Sequence, residues 1–311
     1  MTTQALGIYS WLAPARTIAV AAACLVMSIA HADIADANAS AALRTKYGVL
    51  RDQLIGNQFQ RPLYLDSGEA PDSVTGDIYA LIKHPFTTAA AALNGPARWC
   101  DIMMLHINTK YCRASIGTLG SVLQVNIGKK QDQPVDEAYR VDFAFRVVAD
   151  TPYYLKVMLT SDAGPFSTRD YRVILEAIPV GNGETFIHFT YSYAYGFAGR
   201  VALQAYLGTI GSRKVGFTVT GKQSDGALRY IGGLRGLVER NTMRYYLAIE
   251  AFLGALSTPQ QAQLEKRLRD WFASTEQYPR QLHEMGQEAY LGMKRREYQR
   301  QQAERPADNI L

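Results

Sequence analysis

Between Ile187 and Tyr195 the chain reads Ile-His-Phe-Thr-Tyr-Ser-Tyr-Ala-Tyr, so Tyr191, Tyr193 and Tyr195 follow Ile187 and Phe189 at alternate positions. Alternate residues of an extended strand share one face. Tyrosine rings bury like hydrophobes, while each hydroxyl needs a hydrogen-bond partner. Three in a row suit a cavity wall that offers apolar surface and a few polar anchors. The competing reading is an ordinary core face, or an outer face covered by further helices. Tyr153 and Tyr171 belong to neighbouring alternating runs, and with Trp99 they complete the aromatic part of the candidate ligand-contacting set.

A second concentration lies at Glu239 to Tyr246, with three charges and two tyrosines in eight residues. Arg240 and Arg244 stand one helical turn apart, so they can meet a carboxylate or phosphate together, with Tyr245 beside them. The competing reading pairs them structurally with Glu239, Glu250 or Glu176.

Other chemistry is thinly represented. His106, His188 and Glu176 are the candidate acids or bases, and none sits in a recognisable catalytic spacing. No G-x-S-x-G, H-E-x-x-H or P-loop pattern occurs, so no catalytic residue is assigned. His84, His106, His188 and His283 lack ligand spacing with one another, and Cys100-x(11)-Cys112 is a poor zinc pattern, so neither a metal nor a cofactor is expected. Gly232-Gly233-Leu234-Arg235-Gly236 lacks a P-loop lysine and reads as a strand bulge or bend.

The N-terminus reads as an export signal. Arg16 is its only charge, Thr17 to Ala30 is almost wholly apolar, and Ala30-His31-Ala32 offers small residues for cleavage after Ala32. The run is too short for an ordinary membrane span, and no later segment is apolar enough for one. Removing 32 of 311 residues leaves 279, and removing one basic residue takes the net charge from +5 to +4. That excess is mild and spread out, which argues against nucleic acid. Two cysteines survive cleavage, Cys100 and Cys112. An even count in an exported protein favours a disulfide over two buried thiols. A periplasmic location follows from the same reading.

The elements that must position these residues are read from periodicity. Residues 33–42 look like a solvated lead-in. Leu43, Tyr47, Leu50 and Leu54 recur at helical spacing. Residues 61–82 turn extended, with Ser67-Gly68 and Thr75-Gly76 as breakers and a strand at 73–82. Short helices are expected near Thr87–Leu93 and Trp99–Leu105. From 121 to 235 the chain reads as strand after strand, and its alternating runs separated by tight turns indicate an antiparallel meander. A helical insert at Ala198–Leu207 precedes Val215, Phe217 and Val219, which resume the sheet. Ser224-Asp225-Gly226 marks a hairpin, and the sheet ends near Leu237. Asn241 is read as the N-cap of a helix through Leu256. Thr258-Pro259-Gln260-Gln261 reads as a capping box opening another helix. Pro279 should restart the helix, and the tail from Lys294 should fray. From 264 to 311 nine basic and eight acidic residues leave no one-signed face for anionic lipid, so these helices are expected to cap the domain.

In order, this is strand, two short helices, a long meander and a long helix, with His84-Pro85-Phe86 and Trp99 at the junctions. The pattern resembles the START/Bet v 1-type helix-grip (SRPBCC, polyketide-cyclase-like) superfamily. The resemblance implies an α+β fold in which a curved antiparallel sheet wraps a long helix and encloses an apolar cavity, here with extra N- and C-terminal helices. The implied organisation is a signal peptide (1–32), a helical lead-in (33–69), a START-like domain (70–256) and a helical extension (257–311). The whole chain also resembles an uncharacterised family of exported bacterial proteins with stretches like Trp99-Cys100-Asp101-Ile102 and Glu239 to Tyr246, which brings no assigned activity.

The expected function is a periplasmic binding or carrier protein for a hydrophobic, lipid-like small molecule. The alternatives are a cyclase- or hydratase-like enzyme using the same cavity, and a ligand-free envelope interaction protein. A cavity of several hundred Å³ would separate the first two from the third. The oligomeric state is left open.

Overall fold

Alternating burial defines the strands. In β2 (Ser73–Ile82) Val74, Gly76, Ile78, Ala80 and Ile82 are buried and the residues between them are half-buried, the mark of a strand covered on both sides. The structure, a computed structural model, describes residues 15–118, 120–209 and 214–303, with side chains of its first helix described from Ile34 onward. The signal-peptide reading falls partly on residues 1–14, outside the described residues.

The chain begins with α1 (Ala15–Ile55), β1 (Leu63–Ala70) and β2, followed by α2 (Phe86–Leu93) and α3 (Pro96–Met103). A meander follows: β3 (Thr109–Gly117), β4 (Gly120–Ile127), β5 (Tyr139–Thr151), β6 (Tyr154–Ala163), β7 (Thr168–Val180) and β8 (Glu184–Tyr195). Then come α4 (Phe197–Gly208), β9 (Val219–Lys222), β10 (Leu228–Tyr230), α5 (Gly233–Gly254), α6 (Gln260–Glu276), α7 (Pro279–Leu282) and α8 (Gln287–Ala303).

The large sheet is antiparallel throughout, in the order β1-β2-β8-β7-β6-β5-β4-β3. The meander thus returns to pair its last strand with β2, and α5 crosses one face, against β1, β2 and β8. This is the helix-grip arrangement: an α+β fold with a curved antiparallel sheet around a long helix. The inner face and α5 share one apolar core with α3, α6 and α8. On the outer face Leu43, Leu50 and Leu54 of α1 pack on Ala149, Tyr154, Ile178 and Phe186. Burial of such faces contributes about 25 cal/mol per Å² of apolar surface.

Several sequence expectations are corrected. Residues 33–42 are helical, because α1 runs on through them, and Ser40 Oγ donates to the Tyr153 carbonyl. Gly68 and Gly76 lie inside strands; the β1–β2 turn is at Pro71-Asp72. Gly76 is there for close approach, since a Cβ would collide with Thr242 Oγ1 of α5. β3 escapes notice because Thr109, Lys110, Tyr111 and Cys112 are all buried, which hides the alternation. Val219 and the segment after Ser224 do not rejoin the large sheet; β9 and β10 form a separate two-stranded ribbon. The sheet therefore does not reach Leu237. The glycine-rich run opens α5: Gly232 is its N-cap and Gly233 takes a left-handed φ of 63°, turning the chain out of β10. Asn241 is consequently inside the helix and caps nothing. The Thr258 capping box is not formed, because Pro259 occupies the N-cap and Gln263 Nε2 donates to the Thr258 carbonyl.

The C-terminal region also departs from expectation. α8 continues to Ala303 and is pinned, not frayed. Lys294 Nζ and Lys110 Nζ lie 2.8 and 3.0 Å from the two oxygens of Glu297, all three side chains being buried. Gln301 Oε1 accepts the backbone N–H of Cys112 on the edge strand β3. Cys100 of α3 and Cys112 are joined by a disulfide, with Cα atoms 5.2 Å apart. Among the described residues, no helix is long and apolar enough to cross a membrane.

Candidate ligand-binding site

The tyrosine stripe of β8 faces inward. Tyr191, Tyr193 and Tyr195 are buried on the same side as Ile187 and Phe189, beneath α5. Tyr171 of β7 stacks on Tyr193 with ring centroids 5.2 Å apart. Tyr245 of α5 closes on them from across, 5.4 Å from Tyr191 and 6.3 Å from Phe189. His106, in the connection between α3 and β3, stacks on the far side of this group at 4.8 Å from Tyr245.

Burial pushes these phenols up, that of Tyr171 to about 12, so all stay protonated at neutral pH. Their hydroxyls are not treated alike. Tyr171 Oη is 2.6 Å from Thr168 Oγ1, Tyr195 Oη donates to the Ala70 carbonyl at 3.3 Å, and Tyr191 bonds the Asn241 side chain. Tyr193 Oη is buried and has no hydrogen-bond partner among the described residues.

The two arginines lie on the same stretch of α5, both 2% exposed. Arg244 Nη2 donates to Glu284 Oε1 at 2.6 Å. Lys130 and Lys214 share that carboxylate at 2.8 and 3.6 Å. Burial pushes the Glu284 carboxyl up, and Arg244 and Lys130 outweigh it, so the group is held below the usual carboxylate range. Arg240 is different. Its Nη1 is buried without a partner, and among the described residues it forms no ion pair. Burial, then the like charge of Arg244, lowers its pKa to about 10, which still leaves it a cation at neutral pH.

The carboxylates that the sequence offered as partners are committed elsewhere. Glu239 accepts from Ser67 Oγ and Thr218 Oγ1, each at 2.6 Å, and from the backbone N–H groups of Phe217 and Thr218. Glu250 binds Arg61 and accepts from Tyr246 Oη at 2.7 Å. Glu176 lies on the opposite face of the sheet. There both ring nitrogens of His188 face carboxylate oxygens that accept from the protonated ring, Glu176 Oε2 at 3.1 Å and Asp77 Oδ1 at 2.8 Å, and the ring stacks on Tyr79 at 4.1 Å. Of the three candidate acids or bases, only His106 therefore borders the tyrosine group.

Tyr171, Tyr191, Tyr193, Tyr195, Arg240, Arg244 and Tyr245 are thus brought together. Trp99 and Tyr153 are not part of the group. Trp99 Nε1 donates to the Leu93 carbonyl at 2.7 Å, so the indole ties α3 to the end of α2. Tyr153 sits in the β5–β6 turn with its side chain exposed, because β6 begins one residue later. Sequence reasoning missed Glu284, Lys130, Lys214 and Asn241, which come from three separate connections and one helix interior. No local periodicity marks any of them. A surface cleft of about 320 Å³ opens elsewhere, among Phe59, Phe217, Tyr230, Tyr278, Gln58 and Gln277, and none of the sequence-predicted residues lines it. Among the described residues, no cluster of three His, Cys, Asp or Glu side chains could hold a metal.

No protein-family model matches the sequence, and no curated protein matches it. Solved structures similar to it include a truncated norcoclaurine synthase from Thalictrum flavum, 12% identical over 47% of this chain and 91% of that one, with a TM-score of 0.33. Human StAR-related lipid transfer protein 5 is 8% identical over 70% and 96% of the two chains, TM-score 0.33. CalU16 from Micromonospora echinospora is 12% identical over 68% and 96%, TM-score 0.28. The strand order and the helix laid across it give this chain a helix-grip fold, a curved antiparallel sheet around a long helix.

Proposed function

We propose that this protein is an exported, periplasmic binding or carrier protein that holds a hydrophobic, lipid-like small molecule between the inner face of β7–β8 and α5. One observation carries the reading. Tyr193 Oη on the sheet and Arg240 Nη1 on the helix are both buried with no partner among the described residues, on the two elements that face each other. Leaving a buried polar group unsatisfied costs about 1–3 kcal/mol, and more when it is charged. A ligand whose polar end reaches these atoms removes that cost, while the surrounding rings cover its apolar body.

A second reading, a ligand-free envelope interaction protein, draws on the close contact of the tyrosine rings with one another. In the carrier reading those rings part to admit the guest. The test is native mass spectrometry of the protein purified from the periplasm of an expressing strain, followed by solvent extraction. A stoichiometric co-purified lipid supports the carrier. A clean apo mass that persists after incubation with total envelope lipid supports the interaction protein.

A further inference from the structure

We infer that the molecule held at this site carries an anionic head, a carboxylate or a phosphate, and that Arg240 is the residue that selects it. The inference rests on the carrier reading above and names the class of its ligand.

The polar groups around α5 are unbalanced in two independent ways. The first is charge. Arg240, Arg244, Lys130 and Lys214 surround a single carboxylate, that of Glu284, and Arg244, Lys130 and Lys214 already share it. Among the described residues Arg240 forms no ion pair: Glu239, Glu250 and Glu176 are bound to other groups, and Glu284, whose charge reaches Arg240 through space, is already shared by three other cations. Such a charge is tolerated only where something compensates it.

The second imbalance is in hydrogen bonding. Arg240 Nη1, Arg244 Nε and His106 Nε2 are all buried with no partner among the described residues. His106 Nδ1 accepts the backbone N–H of Asn108 at 3.2 Å. Burial, then the nearby Arg244, keeps the ring neutral, so its single proton is assigned to Nε2. The unsatisfied atoms are therefore donors, joined by the Tyr193 hydroxyl, which can also donate. A site short of acceptors and rich in positive charge matches a group made of anionic oxygens. A guanidinium fork meets such a group with two parallel hydrogen bonds. A neutral alcohol or sterol hydroxyl would satisfy one donor and leave the charge of Arg240 unanswered.

The experiment compares dodecanoate, monododecyl phosphate and dodecanol, which share an apolar tail, by isothermal titration at pH 7.5. The wild-type protein and Arg240→Met are used, with thermal melting of each. At least one anion should bind the wild type tenfold or more tightly than the alcohol, and whichever anion does so identifies the head. Arg240→Met should lose that preference while melting at or above the wild-type temperature, because an uncompensated buried charge has been removed. Equal binding of dodecanol and both anions overturns the anionic head but leaves the carrier reading standing. Failure of all three to bind overturns the carrier reading and the inference with it. A preference that survives in Arg240→Met, or a variant that melts well below the wild type, overturns the role given to Arg240.

Discussion

On the outer face His188 is clasped by Asp77 and Glu176 and stacked on Tyr79. Burial works against its proton, but the two carboxylates outweigh it and hold the pKa above 6.5. Its contribution to stability is fully present below pH 6.5 and is lost as pH rises through the folded value. Glu176 behaves in the opposite sense. Burial pushes it up, but the bonds from His188 and Tyr154 hold it at about 2, against an ordinary 4.5. Its contribution is present above pH 4.5 and is lost as pH falls toward 2. His106, kept neutral well below 6.5, adds a loss on acidification below pH 6.5, where the unfolded chain takes up a proton and the native one does not. Lys294, pushed down by burial to about 8, acts in the opposite sense to His188 from about pH 8 upward, where the native chain has lost a proton that the unfolded one keeps. The melting temperature is therefore expected to peak near pH 6.5 and to fall on both sides between pH 4.5 and 8. His188→Phe should flatten the alkaline limb, and a pH series of thermal scans checks both statements. Arg244→Ala should cost about 1.5–3 kcal/mol in denaturant melts at any of these pH values, because it removes a buried charge-assisted hydrogen bond and leaves Glu284 to Lys130 and Lys214 alone. At this scale the sequence was partly legible. The tyrosine stripe and the arginine pair are local patterns, set by a period of two and a helical turn. The partner of Arg244 is not local: Glu284 is 40 residues away, in a connection no periodicity describes. Glu239 looked like a partner only by adjacency, and its neighbours in space turned it toward Phe217 and Thr218.

Among the elements, α5 decides the site, and its seat on the sheet depends on what is missing from β2. Gly76 leaves room for Thr242, whose hydroxyl donates to the Val238 carbonyl within the helix. Gly76→Val should force helix and sheet apart and cost about 1–3 kcal/mol, the usual range for overpacking, measurable as a lower denaturant midpoint. Replacing Cys100 and Cys112 together with alanine should cost about 3 kcal/mol from the lost loop closure between α3 and β3. Strands β4 to β8 and helices α2, α4 and α6 could be read from pattern because each exposes or half-exposes one side. β3 and the start of α5 could not. One is buried on four consecutive residues, and the other begins on glycines whose left-handed geometry looks like a bend in any one-dimensional reading.

For the molecule as a whole, the helices that follow the grip are part of its core, and the one that precedes it builds a second core on the other side of the sheet. α6 and α8 share apolar contacts with α5 and α3, and α1 covers the opposite sheet face. The link at the far end is the buried trio of Lys110, Lys294 and Glu297, two cations on one carboxylate. Glu297→Gln should leave both ammonium groups unpaired and destabilise the protein by about 3–5 kcal/mol, lowering the midpoint of the whole unfolding transition if α8 and the sheet unfold as one unit. Two separate transitions by circular dichroism and tyrosine fluorescence would show instead that α8 melts on its own.

The hydrogen bond from the Cys112 backbone to Gln301 has one more consequence. An open sheet ends in strands whose outward N–H and C=O groups can template the addition of another chain. β3 is such a strand, and a side chain from α8 occupies one of its amides while the helix lies against it. α8 is thus a guard against polymerisation as well as a contributor to the core. A chain ending before Gln287 would present β3 to its own copies, and its failure would be seen as fibrils or soluble oligomers before any loss of sheet structure.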